Sequence, residues 1–241
     1  LAAELAGDFT VINDELAAAL LAILSNGDSS EQVRGRAAIA VGPVLEYADT
    51  GGLEDADDLL ITEPTFHRIQ EALHGLYTDA TVPKEARRRI LEASVRAQQD
   101  WHQDAVRAAY SCDDELWKLT AVFCMRFVRG FVEQILEALD STNPEVHYEA
   151  VLAAGNWAVD AAWAHVAALV TAGETDKPLL LAAIDAVAGI RPEEAAAILG
   201  DLADSHDEDV VAAVHEAMAM AEGLSGEDGE DDFDDDDDPL L

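Results

Sequence analysis

Apolar residues recur along this chain at helical spacing and almost never alternate with polar ones over a useful length, so the pattern predicts helices and almost no sheet. The first apolar run, Leu16 to Leu24, predicts an N-terminal helix. After it, polar or acidic openings, often with proline, lead repeatedly into Ala-rich apolar stretches. The first apolar anchors of these stretches are Val33, Ala86, Leu116, Val146, Leu179 and Val210. Their spacings are 53, 30, 30, 33 and 31 residues. The long first interval holds extra residues that include a loop-like stretch from Ala48 to Glu63.

Punctuation agrees with the period. Pro83, Pro144 and Pro178 each lie shortly before an anchor, where a first-turn proline is best tolerated. Asn143 is a good N-cap, and Asp113 and Asp114 place acid at a positive helix end. A second helix is predicted in each unit: Phe66 to Tyr77, Trp101 to Tyr110, Phe131 to Leu139, Ala161 to Val170 and Pro192 to Leu202. Gly155, Gly173 and Gly189 fall near helix ends. A helix pair every 30 or so residues cannot bury its apolar faces alone, but stacked neighbours can.

Two segments carry a resemblance. Residues 143–155 (NPEVHYEAVLAAG) and 209–218 (DVVAAVHEAM) look like HEAT repeats of the short type, including those of phycobilisome lyases. The resemblance spans roughly residues 28–222 and implies an all-α fold, a right-handed α-α superhelix of about six helix pairs. The expected organisation is one solenoid over 1–224, with a helical cap at about 8–27 and an irregular first unit at about 28–80. Residues 225–241 form a separate acidic tail with ten acids between Glu227 and Asp238, expected to be disordered.

Composition narrows the functions. Fifty acids against 14 basic residues give a formal charge of −36, which repels phosphate backbones and argues against general nucleic-acid binding. Strong acidity with three lysines also suits high salt, where self-repulsion is screened. No apolar run reaches the roughly 18 residues of a membrane span, and no signal-peptide pattern is present. Cys112 and Cys124 make no disulfide framework, so a reduced cytoplasmic setting is expected.

Catalytic motifs are wanting. The seven histidines include no His-Glu-x-x-His, and no Cys-x-x-Cys is present. Deoxyhypusine hydroxylases, also built from HEAT repeats, hold a di-iron site through repeated His-Glu pairs, whereas here that pair occurs once, at His215-Glu216. The cysteines lack a recognisable base, and Gly51-Gly52 matches no phosphate loop. The expectation is therefore no catalytic residue, no metal and no cofactor.

What remains is a docking surface for a protein partner, on the concave face lined by the second helices. Trp and Tyr are typical anchors when exposed. Residues 84–129 hold nine of the 14 basics and net +2. From these features the expected contacts are Arg88, Trp101, His102, Arg107, Asn156 and Trp157. Two rival readings stand beside this one: a lyase-like or chaperone-like role in cofactor attachment, and nucleic-acid binding through the central basic stretch.

Overall fold

The structure, a computed structural model, describes residues 12–52 and 60–226. Among them are twelve α-helices and no strand. The chain divides into two compact units, Leu1–Phe131 and Val132–Leu241, where the sequence suggests a single domain.

In the first unit the helices are α1 (Asp14–Ser25), α2 (Glu31–Tyr47), α3 (Glu63–Thr78), α4 (Lys84–Ser94), α5 (Trp101–Tyr110) and α6 (Glu115–Cys124). Local chemistry starts five of the six. The Asn13 side chain accepts the Leu16 N–H at 2.9 Å, and Ser30 and Asp114 do the same for Val33 and Leu116. Pro64 and Pro83 serve α3 and α4 at or beside the first turn. α1 buries Ala17, Leu20, Leu21 and Leu24, the stripe its spacing dictates. Arg34 of α2 reaches back and donates from Nε to the Leu24 carbonyl at 2.7 Å, satisfying one of the orphan acceptors at the end of α1.

The second unit holds α7 (Val132–Leu139), α8 (Pro144–Asn156), α9 (Trp163–Thr171), α10 (Lys177–Ile190), α11 (Pro192–Leu199) and α12 (Glu208–Gly226). Short 3-10 turns precede α9 and follow α11. All five predicted second helices and the N-terminal helix are present, each with ends shifted by a few residues at most.

The pairing differs from the expectation. Each second helix packs on the first helix that follows it, α3 on α4, α5 on α6, α7 on α8, α9 on α10 and α11 on α12, and α11 also packs on α10 of its own predicted pair. The N-terminal helix packs on both members of the first pair, α1 on α2 and α1 on α3. Short turns at residues 79–83, 111–114 and 140–143 explain this, because they leave antiparallel neighbours no other place to pack. Consecutive first helices also pack, α2 on α4 and α4 on α6 in one unit, α8 on α10 and α10 on α12 in the other. Each unit is therefore three hairpins joined through their second arms.

Gly155 and Gly189 show how close that approach becomes. A Cβ on Gly155 would lie 2.7 Å from the Cα of Ala186, and one on Gly189 would lie 2.7 Å from the Gly155 carbonyl oxygen. The backbones of α8 and α10 meet where side chains are missing.

The loop expected from Ala48 to Glu63 begins as a single π turn, Ala48–Gly52, and residues 53–59 lie outside the described residues. α12 runs to Gly226, two residues into the segment expected as tail, and residues 227–241 also lie outside them. No helix among the described residues is long and apolar enough to cross a membrane.

Candidate functional site

Arg88 was expected at a surface and lies inside. It is 3% exposed, on the face of α4 that turns toward α6. Its Nε and Nη2 donate to the two carboxylate oxygens of Glu85, at 2.9 and 2.7 Å. Its Nη1 donates to Glu92 at 2.8 Å and to the Thr120 hydroxyl of α6 at 2.9 Å. Thr120 in turn donates to Glu92. The guanidinium holds the Glu85 carboxyl below the usual carboxylate range. A buried charge survives only when paired and hydrogen-bonded, and here the partners also tie two helices together.

Most other basic residues of the central stretch are similarly engaged, whereas the buried Nε of Arg87 has no hydrogen-bond partner among the described residues. Arg89 meets Glu85 and Glu92, Lys84 meets Asp114 at 2.6 Å, and Arg107 meets Asp104 at 2.7 Å. Arg96 pairs with Glu46 and lies over the Phe123 and Phe127 rings at 5.6 and 5.4 Å, with Arg126 over the same two rings. Most of the local positive charge meets carboxylates and rings within the unit.

His102 is fully buried, a second departure from the expected surface contact. Its Nδ1 accepts the Gln99 backbone N–H at 2.9 Å, which assigns the ring proton to Nε2. Nε2–H then donates to the Ser94 hydroxyl at 2.9 Å, and Ser94 donates to the Leu91 carbonyl. Burial pushes the imidazole down to about 4.

Trp101 is different. It opens α5 half-buried, with its indole N–H donating to the Gln99 side chain at 2.9 Å. His102 flanks it at 3.9 Å between ring centroids. From α3, His74 stacks on it at 4.8 Å and 13° between planes, and Tyr77 leans on it at 5.0 Å. His74 is exposed and Tyr77 half-buried. The result is an aromatic shelf of three rings from two helices, partly open to solvent. His74 and Tyr77 were not among the expected contacts. Their spacing of three on one predicted helix was the readable sign that they share a face.

Arg107 is exposed on α5. Asn156 and Trp157 belong to the second unit, where Asn156 ends α8 and Trp157 caps it half-buried. Ala158, next to them, has a φ of +46°, a left-handed conformation strained for an alanine. Of the expected contacts the structure brings together Trp101 and His102, only the first with an exposed surface.

Comparison with known proteins adds the fold alone. No family model matches the chain, and no curated protein matches it. An engineered protein of known structure is 20% identical, with a TM-score of 0.50, over 86% of this chain and 96% of its own. A second engineered protein is 20% identical at a TM-score of 0.48, over 91% of this chain and 74% of its own. Human deoxyhypusine hydroxylase in complex with glycerol is 16% identical at a TM-score of 0.44, over 87% of this chain and 74% of its own. The likeness of the first concerns the fold alone, which in this chain is all-helical among the described residues.

Proposed function

We propose that this chain is an interaction module of the HEAT type, which docks a segment of a protein partner on the shelf formed by His74, Tyr77 and Trp101. The observation that carries the reading is Trp101 itself. A large amphipathic ring is half-buried, hydrogen-bonded at its one donor, stacked by His74 and flanked by His102. Such a ring loses little freedom on binding, which is what makes rigid aromatics effective anchors. The charge selects the partner's sign. With most of the central basic residues occupied internally, the field of −36 favours a segment bearing lysine or arginine, which could also lie over the partly exposed rings.

The test is affinity capture with the whole chain at moderate and high salt, followed by affinity measurement on what is captured. Trp101→Ala should weaken the complex by about 2 kcal/mol or more, roughly thirtyfold. His74→Ala should weaken it less, with circular dichroism unchanged in both. A partner that binds both variants as tightly as the parent chain removes the shelf from the reading.

A further inference from the structure

The two histidines His147 and His165 lie 18 residues apart, on α8 and α9, and meet nitrogen to nitrogen. Their Nε2 atoms are 2.8 Å apart, with ring centroids at 5.0 Å and planes at 82°. Both rings are half-buried. A contact of this length between two imidazole nitrogens requires that at least one offer a lone pair, as a metal ligand does.

Rigid elements hold both rings. His147 lies in the first turns of α8, begun by Pro144 and capped by Asn143, whose side chain accepts the Glu145 N–H. His165 is the third residue of α9. The start of that helix is fastened from α11's side: Arg191 donates to Asp160 at 2.8 Å and to Glu194 at 2.9 Å, and its guanidinium lies 5.1 Å over the Trp163 ring.

We propose that His147 and His165 form a two-histidine site for a borderline divalent transition-metal ion, with Cu2+ the best occupant among the common ones. Imidazole nitrogen suits this class of ion, and the usual order of affinities puts Cu2+ first. An ion bound at about 2.1 Å from each nitrogen subtends an N–N separation of roughly 3.0 Å at a right angle and roughly 3.4 Å at a tetrahedral one. The observed separation needs an opening of a few tenths of an ångström for the first, within reach of small χ rotations. No set of three or more His, Cys, Asp or Glu among the described residues could hold a metal, so the remaining positions go to water or to a donor brought by a partner.

The test uses Cu2+ on the full chain, with excess Mg2+ present to occupy carboxylate sites, since hard cations prefer oxygen. Pulsed electron paramagnetic resonance should report one copper per chain with two coordinated imidazoles. His147→Gln and His165→Gln should each remove one imidazole from that signature. Each should also weaken binding by at least about tenfold, since even the partners of metal ligands cost roughly 10- to 100-fold when changed. Helicity is checked in both variants, and either one alone suffices if the other unfolds. Copper held without coordinated nitrogen, or a two-imidazole signature that persists in both variants, overturns the site.

Discussion

At His102 the proton has one place to be. Nδ1 already accepts from Gln99, so a second ring proton would break that bond and leave a charge in a fully buried position. The unfolded chain has an ordinary histidine near 6.5, so it takes up a proton at a pH where the folded chain, depressed to about 4, does not. Stability is therefore complete above the unfolded value and declines as pH falls from about 6.5 toward 4, by about 3 kcal/mol at the limit. Urea unfolding at pH 7 and pH 5 should show the decline, and His102→Gln should flatten it in that window. Arg88 makes the complementary case. Arg88→Leu removes one of the two guanidiniums on buried Glu92, leaving Arg89 and Thr120 as its partners, and should cost about 1–3 kcal/mol. Arg88→Leu combined with Glu92→Leu should recover much of that loss, and urea midpoints would show whether it does.

Between elements, the contacts repeat with the period of the sequence. Lys84, the first residue of α4, pairs with Asp114 at the start of α6. Lys177, the first residue of α10, pairs with Asp207 and Asp209 at the start of α12, at 2.7 and 2.6 Å. The same bridge thus appears in both units, about one repeat long. These pairs are largely exposed, so they set register more than stability. The α8 and α10 crossing is where the backbones approach most tightly at glycine. Gly155→Val would drive a side chain into the backbone at Ala186 and should cost about 1–3 kcal/mol. Ala158→Gly, one turn away, relieves the left-handed alanine and should be neutral or stabilising by up to about 1 kcal/mol. Thermal melts of the two variants in opposite directions would confirm that crowding and strain act at neighbouring points of this segment.

For the whole molecule the dominant quantity is the charge of −36. Like charges at this density oppose compactness, and salt screens them over about 10 Å at 0.1 M. Raising sodium chloride from low ionic strength toward molar levels should therefore raise the melting temperature, although it weakens individual surface pairs. A calorimetric scan that shows the melting temperature falling with salt would mean the ion pairs outweigh the repulsion. The same screening should slow capture of a basic partner, so stability and association are expected to respond to salt with opposite sign.

The sequence by itself determined the helices. Caps, prolines and apolar spacing act within a few residues, so α1 and the five second helices were readable before any fold was known. The period was readable for the same reason. What only the tertiary structure decided is which arm packs on which. Val33 and Leu116, the first apolar residues of their repeats, are 42% and 54% exposed, whereas Ala86 and Val146 at the corresponding positions are buried. Periodicity shows that a helix has an apolar face but not which neighbour covers it. Arg88 and His102 were misplaced on the same account, since a polar residue reads as surface until the partners that permit its burial are assembled. Trp101 kept its open edge, but the rings that support it come from α3, more than twenty residues away. The meeting of His147 with His165 across a chain turn belongs to the same class: long-range contacts, set by packing, which no local pattern encodes.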